Sequence, residues 1–222
     1  MKFFTKKRIV LFLLFIFPLI CFLILSTGEN NFKKLPILTE KVKNLSEIDT
    51  LQTVQLKESV SIVCFLGNDV KSMTSGLLNL NEKIYKKFLD YKQFQIIAIY
   101  PNNKSEEVAN LKDQIGAFTD MQKWRFLPGN KSQIKAFYEG FQYNEPLNNL
   151  ASSKVFLIDK NLNLRGRLKD DKTDKKLYGY SLNSVSELNG KLKDDLKVLY
   201  YEYYAAFKEK NKNKANRKEV GL

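Results

Sequence analysis

Residues 60–66 read VSIVCFL, apolar at every position but Ser61, and Gly67 closes the run. A strand with one wet face alternates apolar and polar residues, so an almost unbroken run rich in β-branched side chains predicts a strand buried on both faces. Residues 94–100, FQIIAIY, repeat the pattern and end at Pro101. Between the two, Leu77, Leu80, Ile84 and Phe88 recur at intervals of three and four, the spacing of an amphipathic helix. Strand, helix, strand in this order predicts a parallel βαβ unit whose sheet needs cover on both faces.

The remainder extends that unit. Ser105, followed by Glu106 and Glu107, opens a second helix with Val108, Leu111 and Ile115 as its apolar positions. Residues 124–127 form a short strand before the turn Pro128-Gly129, and residues 132–141 a third helix. Residues 154–159 (KVFLID) and 162–168 (LNLRGRL) read as two strands of an antiparallel hairpin turning at Asp159-Lys160-Asn161. A last helix starts near Ser184, where Ser184 and Glu187 fit a capping box; Val185, Leu188, Leu192, Leu196 and Leu199 are its buried stripe. The order predicts an α/β, thioredoxin-like fold: a mixed sheet flanked by helices on both faces. Its expected extent is residues 50–207, with an edge strand near 53–56, preceded by a stalk over 27–49.

The N-terminus carries a different signal. Residues 9–25 are uncharged and apolar, and at about 1.5 Å per residue they cover about 26 Å, close to the thickness of a bilayer's hydrocarbon core. No small-x-small cleavage site follows in Ser26-Thr27-Gly28-Glu29, so a retained transmembrane anchor over 9–26 is expected rather than a cleaved signal. Lys2, Lys6, Lys7 and Arg8 precede it and mark residues 1–8 as cytoplasmic, which places the large domain in the periplasm and the protein in the cell inner membrane. Cys21 reads as one apolar residue of the anchor.

Net charge is +13, but it is concentrated at the ends. Four cations at 1–8 and a net four at 208–222 leave +5 for residues 9–207. The tail KEKNKNKANRKEV, almost without apolar residues, is expected to be disordered or a frayed helix end, solvated or lying on anionic lipid. An exported domain without a base-stacking motif argues against nucleic acid as a partner.

Chemistry is constrained by what the chain lacks. It has no histidine and two cysteines, Cys21 and Cys64, which excludes Ser-His-Asp and Cys-His catalysis, His-ligated metal sites and a CxxC redox pair. Cys64 lies in the first buried strand, where burial is its expected role. Asp170 and Asp171, the nearest approach to paired carboxylates, adjoin a lysine-rich loop and read as solvated charge. Tyr200, Tyr201, Tyr203 and Tyr204 form an aromatic cluster at helical spacing, some of it packing on the sheet and some available to a partner.

Four stretches resemble the SCO/SenC family, membrane-anchored thioredoxin-fold copper proteins associated with cytochrome oxidase assembly. IVCFLG leading into Ser72-Met73-Thr74 is similar to the family's strand, CxxxC loop and helix start. IIAIYPNN resembles its strand ending in Val-Asp-Pro, with Tyr100 in place of the acid. WRFLPG (124–129) looks like its Trp-x-x-Leu-x-Gly, and ASSKVFLIDKNLNLRGR (151–167) is similar to its His-Ser-Ser-x-x-x-Leu-x-Asp hairpin.

The resemblance implies a copper site of two thiolates and an imidazole, a soft donor set. Counting forward from Phe65 puts the two thiolate positions at Asn68 and Ser72; counting back from Met73 puts them at Leu66 and Val70. Neither register holds a cysteine, and Ala151 stands where the histidine would be. Asp69 reads as a loop or helix-capping residue and Met73 as core. The expectation is therefore a degenerate SCO/SenC-like protein with no cofactor, metal or catalytic residues. Asn68, Asp69, Ser72 and Ala151 mark the vestigial site, open to contact with a membrane or periplasmic partner such as a respiratory-complex subunit. The alternative is a thiol-redox or metallochaperone protein using Cys64 or borrowed ligands.

Overall fold

The computed structural model describes residues 6–26, 33–50, 52–170 and 173–219. Two compact units are present, Met1–Lys33 and Lys34–Leu222. The first contains one helix, α1 (Lys6–Ser26), whose large apolar side chains from Val10 to Ile24 are almost all exposed. Among the described residues no helix is long and apolar enough to cross a membrane; within α1 the described side chains are Lys6, Lys7 and residues 10–24.

The second unit holds β1 (Ile37–Thr39), β2 (Val60–Phe65), α2 (Val70–Leu80), α3 (Lys86–Phe88), β3 (Phe94–Pro101), α4 (Ser105–Gly116), β4 (Trp124–Gly129), α5 (Lys131–Glu139), β5 (Lys154–Ile158), β6 (Leu164–Arg165), β7 (Tyr180–Ser181) and α6 (Lys193–Glu219). The sheet runs β1-β6-β5-β2-β3-β4, with β7 pairing the start of β5. β2, β3 and β4 are parallel, while β5 lies antiparallel to β2 and to β6. A central βαβ unit whose first strand also receives an antiparallel hairpin is the thioredoxin-like arrangement, so the expected α/β class holds for this unit.

Strand alternation divides the core. Ile62, Cys64, Ile96 and Ala98 face α2, α4 and α6, whereas Val63, Phe65, Ile97 and Ile99 face α5 and the segment 42–56. Both faces are covered, which is why β2 and β3 have no polar rhythm. Phe65 meets Phe137, Tyr138, Phe141 and Phe156 with ring centroids 5.1 to 6.1 Å apart, so one strand residue anchors α5 to the sheet.

Several expectations are corrected. The folded unit begins at Lys34: β1 and buried Leu35, Val42, Leu45 and Ile48 lie within the segment read as a stalk. The edge strand is β1, not 53–56; Val54 and Leu56 are buried in irregular chain, with the Val54 N–H held by the Asp49 carboxylate at 2.6 Å. The stripe of the last helix excludes Val185, which is exposed. Ser184 accepts the Glu187 N–H at 3.2 Å, but the Glu187 carboxylate returns to the Ser181 N–H at 2.9 Å, so the capping box is displaced onto β7. Helix α6 continues to Glu219, across most of the tail read as disordered or a frayed helix end. Asp170 is buried and paired with Lys191 instead of solvated, because the loop carrying it folds back over the helical turn 187–192 that precedes α6; Asp171 lies outside the described residues.

Candidate functional site

The C-terminal end of β2 is the topological centre of the sheet. Gly67 turns the chain out of the strand with φ +67, a left-handed conformation in which glycine has no side-chain penalty. Asp69 then caps α2: its Oδ1 accepts the Ser72 N–H at 3.3 Å, and Ser72 Oγ donates to the Asp69 carbonyl at 2.9 Å. The capping role expected of Asp69 is thus realised. Met73 is partly buried against the core, also as expected.

Ala151 reaches the same place from the other side of the sequence. Leu66 and Ala151 form an isolated antiparallel bridge, Asn68 N–H donates to the Asn149 carbonyl at 3.0 Å, and Ser152 N–H donates to the Phe65 carbonyl at 3.0 Å. Asn148 and Ala151 exchange backbone hydrogen bonds at 3.0 and 2.8 Å, and Asn149 and Leu150 both have positive φ. Asn68, Asp69, Ser72 and Ala151 are therefore brought together at one end of the sheet.

These groups do not fit a copper ion of the kind the resemblance implies. Their donors are an amide, a carboxylate engaged in capping and a hydroxyl engaged with backbone, with neither thiolate nor imidazole. Among the described residues there is no cluster of three or more His, Cys, Asp or Glu placed to hold a metal. The two backbones approach closely at Gly67: a Cβ built there would stand 2.5 Å from Ala151 Cβ and 2.6 Å from its backbone nitrogen. Cys64, three residues upstream, points into the core with no exposure, and burial pushes its thiol pKa far up. A thiol held neutral and out of solvent is not a nucleophile.

The structure also opens a cleft of about 810 Å³ that the linear pattern did not disclose and that none of these positions lines. Tyr143, Glu145, Lys154, Lys175, Tyr178 and Glu187 are among the side chains lining it. Lys154 Nζ donates to Tyr143 Oη and, at 3.1 Å, to Glu145, while Tyr138 Oη donates to the Glu145 carbonyl at 2.7 Å. Desolvation raises the Tyr143 pKa; Tyr143 and then Lys154 hold the Glu145 carboxyl below its usual range. The segment 142–150 thus forms a pinned polar ridge ending at Ala151. Its only sequence signal is the turn-rich run Asn144-Glu145-Pro146, whose partners come from β5 and the 170–178 loop.

No protein-family model and no curated protein matches the chain. Solved structures similar to it include BsSco, a member of the Sco family of cytochrome c oxidase assembly proteins, at 13% identity over 72% of this chain and 99% of that one, with a TM-score of 0.47. An SCO1/SenC family lipoprotein from Bacillus anthracis is 20% identical over 77% of this chain and 99% of its own, with a TM-score of 0.43. A putative protein disulfide isomerase from Bacteroides thetaiotaomicron is 14% identical over 78% and 99%, with a TM-score of 0.48. At these identities the likeness is one of fold.

Proposed function

We propose that this chain is a membrane-anchored, extracytoplasmic member of the SCO/SenC type that works by protein recognition instead of copper or thiol chemistry, as an accessory to assembly of a respiratory complex such as cytochrome oxidase. One observation carries the reading. At the sheet end where the resemblance places two thiolates and an imidazole, the chain keeps the strand, turn and helix start but fills them with Gly67, Asn68, Asp69, Ser72 and Ala151, cross-linked by backbone hydrogen bonds. The scaffold is retained and the ligand set is not.

Membrane anchoring rests on the sequence: the uncharged run over 9–25 and the four cations ahead of it. Resistance of the full chain to alkaline carbonate extraction, with protease reaching the 34–222 unit only from outside the inner membrane, is the expected result. Release by carbonate refutes the anchor.

The functional half is tested by titrating residues 34–222 with Cu(I) against a chromophoric chelator. The expected result is no stoichiometric uptake, and tight one-to-one binding overturns the reading. Crosslinking of the full chain in intact membranes is expected to recover respiratory-complex subunits; their absence removes the assembly role. The thiol-redox alternative needs an accessible Cys64, which this geometry denies.

A further inference from the structure

The end of α6 is built unlike the rest of the helix. Leu196 and Leu199 are buried, as are Leu188 and Leu192 in the helical turn before it, and Tyr200 and Tyr203 pack against the core, but from Tyr204 onward the side chains are mostly exposed. Tyr204 and Phe207 are 62% and 64% exposed, one turn apart, and every residue from Ala206 to Asn211 is exposed. The sequence then supplies Lys208, Lys210, Lys212, Lys214, Arg217 and Lys218 against Glu209 and Glu219. Exposed aromatic side chains beside a cationic stretch suit an anionic lipid surface, which attracts the lysines by charge and can take the rings at headgroup depth.

A second observation concerns where the chain joins the folded unit. Leu35, itself buried, donates its backbone N–H to the Glu202 carboxylate, and that carboxylate also accepts from Arg165 Nη2 at 2.5 Å. The unit therefore begins against α6, two residues before Tyr204. In the sequence only residues 27–33 separate Ser26 from Lys34. From Ser26 to Leu35 is nine residues, about 30 Å at full extension, so the link between the apolar run and the folded unit is short.

We infer that the C-terminal part of α6, from Tyr204 through the cationic tail, is a second membrane contact: an interfacial helix that binds an anionic bilayer surface and fixes the domain's orientation over it. This rests on the anchored reading above, but its test does not need the anchor. Residues 34–222 form one compact unit that contains both halves of the core, and neither half draws a residue from α1. The contact leaves the opposite face of the unit, with α5 and segment 42–56, free for recognition.

The experiment is flotation of residues 34–222 with vesicles of phosphatidylcholine alone or mixed with phosphatidylglycerol. Binding is expected only to the mixed vesicles and is lost at high salt, as screening requires. The double variant Tyr204→Ser, Phe207→Ser and deletion of 208–222 each lower the bound fraction about fivefold or more. The double variant keeps the parent's far-UV circular dichroism and the deletion loses only the signal of the helical residues removed, since neither change touches the core. Phe207→Trp gains a component of blue-shifted emission on the mixed vesicles. Failure to float with phosphatidylglycerol, or equal flotation of the variants, overturns the inference. So does concentration-dependent dimerisation abolished by the double variant, which gives the face to a second copy. Carbonate extraction of the full chain judges the anchor separately, so loss of either contact is read without the other.

Discussion

Gly67 and Ala151 meet so closely that a Cβ on Gly67 would overlap the Cβ of Ala151, 2.5 Å away. The contact joins the turn after the first parallel strand to the residue before the hairpin, two places separated by more than eighty residues of sequence. It adjoins Asn68 and includes Ala151, two of the positions where the resemblance expects a metal ion's ligands.

Gly67→Ala is therefore expected to destabilise the protein twice over, through its left-handed φ and through the clash with Ala151. The combined cost is about 1–3 kcal/mol, read as a lower urea midpoint at unchanged slope. A neutral result would mean the turn relaxes freely and the close approach is not held.

Cys64 sets a pH dependence. Its folded pKa is raised by desolvation, so the native state keeps the proton that the unfolded chain releases above roughly pH 8.5. Stability from this group is complete below that pH and declines as pH rises, by up to about 1.4 kcal/mol per unit. Urea midpoints of residues 34–222 measured between about pH 8.5 and 10 should fall accordingly, and Cys64→Ala should flatten the trend. Iodoacetamide should label Cys64 only in denaturant; labelling of the native protein would contradict the burial.

Asp159 has no exposure and gathers four donors: the Asn161 and Asn163 N–H groups at 2.8 Å each, Asn163 Nδ2 at 3.2 Å and Arg165 Nη1 at 3.1 Å. Asp159→Ala removes one of the two carboxylates on the buried Arg165 guanidinium, leaving Glu202, and opens the hairpin turn, at a cost of about 3 kcal/mol. Asp159→Asn keeps an oxygen for the two backbone N–H groups and should lose less. Equal losses in the two variants, by chemical denaturation, would show that the charge outweighs the turn.

Helix α5 carries a complete capping box, with Asn130 Oδ1 accepting the Gln133 N–H at 2.9 Å and Gln133 Oε1 accepting the Asn130 N–H at 2.8 Å. Asn130→Ala should cost about 1 kcal/mol. Because α5 and the turn after it bury Phe137 and Phe141 on Phe65, the loss should appear as global destabilisation instead of local fraying, visible as coincident shifts in far-UV dichroism and Trp124 fluorescence.

What could be read from the linear chain follows from periodicity. The strands at 60–65 and 94–101, helix α4, the 154–165 hairpin and the leucine stripe of α6 each repeat an apolar pattern that physics allows only one way, and their order implies the thioredoxin-like sheet. The absence of histidine and of a thiol at positions 68 and 72 was equally plain, because a missing residue type needs no structure to interpret. Tertiary structure decided what depends on distant neighbours. It drew Leu35, Val42 and Ile48 into the core from a segment with no rhythm of its own, buried Asp170 on Lys191, and raised the 142–150 ridge beside a cleft. It also set Ala151 against Gly67, since an alanine and a glycine have no periodicity that could foretell contact; only the pairing of β2 with β5 brings their backbones together.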